Sequence, residues 1–250
     1  MKNRKLGGVL IGTYGVGKSM ILELLARNDE TMAGTRFIQF DAPAGGAAGL
    51  ARQLLGALKL DARFTDVDGV LETIRDLTSS KAGFQHTTLA IDEAQMIHET
   101  DSIDFLHRLT NFRISKGAGQ PDFPAFTMIL AGHTELEQLV ASKAAFRQRL
   151  TTVWHLDPLN ERQTLEYVEY RMRAAGGDIW VFEEDAISDA SAASGGIPRV
   201  INNICDVALM LGFALNSTRI TRKIMQQAIQ ESCPPPSVKS EPAARDAGTV

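Results

Sequence analysis

The spacing of apolar positions changes twice along the chain. Residues 6–11 form a short apolar run that enters a glycine-rich turn, and residues 17–27 continue at helical spacing. Short apolar runs recur at 36–41, 87–92, 126–131 and 152–156. Runs of this length between turn residues read as buried strands, whereas a repeat near 3.6 residues reads as an amphipathic helix. Leu50, Leu54, Leu55 and Leu58 share one helical face, as do Val67, Val70, Leu71, Ile74 and Leu77. Ile103, Leu106, Leu109 and Ile114 predict a further helix, and residues 136–150 are expected to be largely helical. Residues 116–124 carry two glycines and two prolines and are expected as a loop. Strands that alternate with helices from 6 to 156 predict a parallel sheet covered by helices on both faces.

From Asp157 and Pro158 onward only helical spacing remains. Helices are expected at 161–174, 183–194, 198–215 and 218–231, with Gly195 and Gly196 ending the second and Pro198 opening the third. Residues 233–250 hold three successive prolines and few apolar positions, so a disordered tail is expected there. The domain expectation is therefore an α/β domain at 6–156, a helical domain at 157–232 and a tail. No internal repeat is evident.

Composition narrows the class. A chain of 250 residues with 44% hydrophobic and 22% charged residues suits one globular domain with a smaller one appended. It excludes a wholly disordered chain, a collagen and a disulfide miniprotein. Lys and Arg number 26 against 30 Asp and Glu, a net charge of −4, so the whole-molecule field does not draw nucleic acid, although a local basic patch still can. Cys205 and Cys233 lack metal-type spacing and read as free thiols in a reducing compartment. The five histidines, at 86, 98, 107, 133 and 155, show no ligand spacing, so no zinc site is expected. The basic start leads through a short, glycine-broken apolar run with no cleavage site, and no long apolar window follows. A cytoplasmic protein without membrane insertion is expected. Trp154 and Trp180 are expected to pack in a core or at the domain junction.

The sharpest motif is Gly12-Thr13-Tyr14-Gly15-Val16-Gly17-Lys18-Ser19. It fills every fixed position of a phosphate-binding loop, and it stands where the chemistry needs it, after a strand and before a helix. Glycines let backbone N–H groups close around phosphate oxygens. The helix start, including Met20, aims its positive dipole end at the anion. Lys18 supplies charge for the β- and γ-phosphates, and the Ser19 hydroxyl can ligate Mg2+. The second motif, Asp92-Glu93, ends a buried strand at the sheet edge where ligands bind in such folds. Asp92 can hold Mg2+, directly or through water, and Glu93 can polarise an attacking water.

Together with the helical segment that follows, these motifs resemble the AAA+ ATPase family over residues 6–231. The resemblance implies a P-loop NTPase sheet followed by a small all-helical lid, with ATP and Mg2+ between them. It implies a polar sensor of the γ-phosphate after the strand that ends at Ala131. Asn or Thr is usual there, and this chain offers His133 or Thr134. A capping box from Thr134 to Glu137 explains that threonine equally well. In the Phe146–Leu150 run, an arginine that reaches a neighbouring subunit's nucleotide is implied. Arg149 matches best by position and Arg147 second. A homo-oligomer follows from it. Arg199, in Gly195-Gly196-Ile197-Pro198-Arg199, resembles the family's second sensor. An arginine at a helix start is unfavourable to the dipole unless an anion lies near.

The runs Ile91-Asp92-Glu93-Ala94-Gln95, Leu130 to Leu136 and Gly195 to Asn202 are similar to one subgroup. It contains general secretion pathway protein A, the ATPases of exopolysaccharide and exosortase loci, and the target-selection ATPases of Mu- and Tn7-like transposition. The accessory parts of those proteins, namely an N-terminal segment, a membrane anchor, a peptidoglycan-binding region or a DNA-binding domain, are not expected here. Two functions follow. One is an ATP-hydrolysing switch on a protein partner in secretion or polysaccharide export, which the acidic balance favours. The other is an ATPase that assembles on duplex DNA, for which Arg108, Arg113 and Lys116 offer a patch. Basic residues at a solvated helix end account for the same three positions.

Overall fold

The computed structural model describes residues 7–29, 35–60, 66–79, 84–97, 99–115 and 122–232. Two compact units divide between Asp157 and Pro158.

The first unit is built on five parallel strands: β1 (Gly7–Gly12), β2 (Thr35–Asp41), β3 (His86–Asp92), β6 (Phe126–Gly132) and β7 (Thr152–Leu156), in the order β2-β3-β6-β1-β7. Parallel pairing requires crossovers, which helices supply. On one face lie α2 (Gly46–Leu58), α3 (Val67–Ser79), α4 (Thr100–Leu109), α5 (Glu135–Ala141) and α6 (Ala144–Arg147). Leu54, Leu71, Leu106 and Phe146 from these helices bury against Val9, Leu89, Ile91 and Met128 of the sheet. On the other face, Leu22 of α1 (Lys18–Asp29) packs against Leu10, Ala90 and Ala131. The fold is α/β with helices on both faces. Because all five strands run one way, the ends of β1, β3 and β6 meet along one edge, and the register puts Ile11 beside Gly132.

Two expectations need correction here. The helix expected to reach Ile114 stops at Leu109. Thr110 closes it, its hydroxyl donating to the His107 carbonyl at 2.6 Å. Ile114 then reaches the same core from a short strand, β4 (Arg113–Ile114), antiparallel to β5 (Phe123–Pro124). Apolar spacing alone does not separate these two routes into one core. The expected 136–150 helix is two helices, and the Ser142 hydroxyl donates back to the Leu139 carbonyl at the break, at 2.6 Å. Such back-bonding competes with helix continuation.

The second unit holds α7 (Glu161–Ala174), α8 (Glu184–Ser194), α9 (Pro198–Ala214) and α10 (Arg222–Ser232). A reciprocal box opens α7. Asn160 accepts from the Gln163 N–H, and the Gln163 side chain accepts from the Asn160 N–H. Val168, Ile187, Ile201, Ile204, Ala208 and Met225 form its core. It is not helical only, since Phe182 and Ile220 make a parallel bridge. Trp154 and Trp180 belong to neither core, being 52% and 70% exposed. The residue calls at His98, Lys116, Cys233 and the tail lie outside the described residues.

Candidate functional site

The turn from β1 into α1 carries the phosphate-loop sequence. Gly15 and Gly17 take φ of 78° and 111°, which residues with a Cβ rarely adopt. Val16 between them is buried, which pins the loop to the unit, while Thr13, Tyr14, Ser19 and Met20 face outward. Lys18 is only 5% exposed. Its Nζ donates to the carbonyls of Gly12 and Thr13 at 3.0 and 3.1 Å. A buried ammonium needs such acceptors, since an unpaired charge is costly away from water.

Seventy-three positions downstream in sequence, β3 delivers Asp92 to the same place. Ser19 Oγ donates to Asp92 Oδ2 at 2.5 Å. Asp92 is 3% exposed, and its Oδ1 accepts the Glu93 N–H at 2.9 Å. A hydroxyl and a carboxylate in contact are a hard-oxygen donor pair of the kind Mg2+ takes. Among the described residues no group of three or more His, Cys, Asp or Glu could hold a metal.

Glu93 has φ 49° and ψ 34°, in the left-handed region. That conformation costs a residue with a Cβ about 1–3 kcal/mol and persists only where neighbours hold it. Its carbonyl accepts the Met96 N–H at 2.9 Å, and its Oε2 accepts from Gln95 Nε2 at 2.6 Å. Gln95 was not among the residues expected in the site. The available signals were an amide two residues beyond a candidate catalytic carboxylate and its place at the end of the Ile91–Gln95 run.

His133 follows β6 and is half-buried, and its ring stacks on Tyr14 of the phosphate loop, centroids 5.3 Å apart at 21°. Thr134 is exposed and opens α5 without a side-chain cap bond, so the capping-box reading fails. The box needs extended backbone at the cap, and Thr134 has φ −57° and ψ −30°. The Glu137 carboxylate instead lies 3.4 Å from His155 Nε2.

Arg149 is half-buried, and its guanidinium donates to the Thr110 carbonyl at 3.4 Å, at the C-terminal end of α4. A cation there complements the helix dipole. Arg147 is exposed. Arg199 is the second residue of α9 in the helical unit and is exposed. Arg108 pairs with Asp68 at 2.8 Å. Arg75, Arg108 and Arg113 line a cleft of about 570 Å³, and Asp122 lines it too. Cys205 is buried, and burial pushes its thiol up to about 12, so it is inert at neutral pH. No helix among the described residues is long and apolar enough to cross a membrane.

Comparison with known proteins agrees with this geometry. The AAA domain family matches residues 2–140. General secretion pathway protein A of Aeromonas hydrophila is 31% identical over 165 residues, which are 65% of this chain and 29% of that protein. The chain thus spans under a third of the length of that curated relative. The crystal structure of Cdc6p from Pyrobaculum aerophilum superposes with a TM-score of 0.71 at 15% identity, covering 94% of this chain and 63% of that one. The Aeropyrum pernix ORC1 protein, in complex with DNA, superposes at 0.66 with 16% identity, covering 92% and 60%. At such identities the likeness is one of fold. With the matched family spanning more than half of its length, the chain belongs to the AAA domain family, and its fold is that of the AAA+ ATPases.

Proposed function

We propose that this chain binds and hydrolyses ATP with Mg2+. The observation that carries the reading is the Ser19–Asp92 contact, with buried Lys18 and carboxylate-bearing Glu93 at the same sheet edge. The phosphate-loop N–H groups from Gly12 to Ser19, continuing into Met20, cradle the phosphates. Lys18 exchanges its loop carbonyls for β- and γ-phosphate oxygens. Ser19 and Asp92 hold the Mg2+ ion, which when bound offsets charge on those oxygens. Glu93 orients a water toward the γ-phosphorus and accepts its proton. The new P–O bond forms as the bond to the β-phosphate bridging oxygen breaks, leaving ADP and inorganic phosphate. His133, or Thr134 beside it, senses the γ-phosphate. Arg199 is the candidate second sensor of the γ-phosphate.

Glu93→Gln tests the core of this reading. It is expected to bind an ATP analogue like the wild type and to lose turnover by ~10²–10⁴-fold, the usual cost of a missing general base. Hydrolysis at the wild-type rate would remove Glu93 from the chemistry.

At a finer level, the protein acts as a homo-oligomeric, nucleotide-driven switch on a protein partner in a secretion or polysaccharide-export type system. The likeness to general secretion pathway protein A supports that class. Arg149 reaches a neighbouring subunit's γ-phosphate, with exposed Arg147 as the other candidate. Single alanine variants at the two positions tell them apart. If both keep full turnover where the protein is oligomeric, neither acts in trans.

A second reading, duplex-DNA binding, is favoured by Arg75, Arg108 and Arg113 around one cleft. It requires duplex binding that appears with a non-hydrolysable ATP analogue and weakens with salt. The absence of binding in both nucleotide states returns the weight to a protein partner.

A further inference from the structure

We propose that Gln95 is a positioning residue for hydrolysis. Its amide holds the Glu93 carboxylate and ties it to the end of β6, where the γ-phosphate-sensing residue stands. The inference rests on the reading of Glu93 as the water-polarising group.

The geometry is a bridge across two strand ends. Gln95 Nε2 donates to Glu93 Oε2 at 2.6 Å. The other end of the same amide, Oε1, accepts the His133 N–H at 3.1 Å. One planar group therefore spans from the residue after β3 to the residue after β6. Its two partners also fix which way the amide faces, since a backbone N–H requires the oxygen and a carboxylate requires the nitrogen.

The path of the side chain is cleared by the last residue of β6. A Cβ on Gly132 would stand 2.5 Å from Gln95 Oε1 and 3.2 Å from the Gln95 backbone nitrogen. Only a glycine lets the amide lie over the strand end at that distance. The glycine in the Ala131-Gly132-His133 run thus has a packing reason that belongs to Gln95.

The bridge matters because of what it joins. Glu93 has a left-handed backbone, so its direction depends on bonds from its neighbours. Asp92 accepts its N–H, Met96 donates to its carbonyl, and Gln95 donates to its carboxylate. A general base works only when its oxygen is aimed at the proton it takes. On the far side, His133 stacks on Tyr14 of the phosphate loop. A displacement of that loop is passed through the His133 backbone and the amide to Glu93. The carboxylate and the sensor position are then set together rather than separately.

Three variants of the full-length chain test this. Gln95→Ala removes the bridge. Gln95→Glu keeps the size and the acceptor for the His133 N–H but turns a carboxylate toward Glu93 in place of the donor. Gly132→Ala leaves the residue types at 92–95 unchanged and crowds the Gln95 amide, and it also crowds the Gln95 backbone nitrogen and Leu136. All three are expected to lower kcat about 10- to 100-fold, the usual cost of removing a group that orients a catalytic one. KM for ATP and the Kd of a non-hydrolysable analogue are expected to stay within about twofold, since the phosphate contacts are untouched. Gln95→Glu, being isosteric, carries the test if Gln95→Ala does not fold. Full kcat in Gln95→Ala or Gln95→Glu overturns the proposal, as does a loss that appears only in KM and Kd. Glu93→Gln is measured alongside. If it too keeps full turnover, the hydrolysis reading and this inference fall together. If it is inactive while the Gln95 variants are not, this inference alone falls.

Discussion

The two compact units bury different things. The α/β unit buries charge: Lys18 and Asp92 lie under the surface at the sheet edge, and His86 lies further along β3. Among the described residues of the helical unit, the buried polar side chains are the hydroxyls of Thr164, Ser191 and Ser194, and these bond one another or nearby carbonyls. Its charges stay outside, as in Arg162–Glu166 at 2.9 Å and Arg222–Asp189 at 2.9 Å. Exposed pairs of that kind contribute little to stability. A charge taken out of water costs several kcal/mol unless bonded. Burying Lys18 and Asp92 therefore makes little sense as a stabilising device. It is intelligible in a site that meets a polyanion and a cation.

The contrast is broken most directly at Lys18. Lys18→Ala removes charge-assisted contacts that are each worth about 1.5–3 kcal/mol, so the Kd for an ATP analogue is expected to rise at least ~100-fold. Equilibrium titration checks this, and an unchanged Kd would mean that the buried ammonium serves the fold alone. Ile204→Ala probes the apolar counterpart. Ile204 is fully buried in the helical core, and the truncation is expected to cost about 2–5 kcal/mol in denaturant unfolding. A cost under about 1 kcal/mol would show that this core is loosely packed.

The smallest expected effect is a pH dependence. All five histidines precede Pro158, so histidine titration touches only the α/β unit. His107 is held below its ordinary value of 6.5, first by burial and then by the Arg149 charge. The folded state thus binds the proton less readily than the unfolded state. The stability that His107 contributes is fully present above about pH 6.5 and is lost as pH falls through the lowered folded value. Between pH 7.5 and 5.5, hydrogen-exchange protection should weaken more in the α/β unit than in the helical unit, and His107→Gln should narrow the difference. Equal weakening in both units would remove His107 as a cause.

Legibility followed distance along the chain. The phosphate loop is eight contiguous residues with an adjoining strand and helix, so its conformation is dictated by glycines and neighbours within a few positions. The alternation of strands and helices was equally plain, because each element carries its own period. Errors fell where the deciding partner is remote. Ile114 has the spacing of a helix that began at Thr100, but it pairs with Phe123 in a hairpin. Thr134 and Glu137 have the spacing of a capping box, yet His155 lies beside the glutamate. Trp154 reads by type as packed in a core or at the domain junction, and the core alternative fails because it stands exposed on β7 at the end of the strand order.

What the sequence by itself determined is the chemistry available: a phosphate loop, an acidic pair after a buried strand, and a helical segment to follow. These are local patterns, in which backbone conformation and residue type constrain each other over a few positions. The tertiary structure decided who touches whom. It placed Ser19 against Asp92 across 73 positions, laid Tyr14 on His133, and stretched the Gln95 amide between the ends of β3 and β6. None of these contacts has a period or a motif of its own. They follow from strand order and register, which are set when the whole sheet buries both its faces at once.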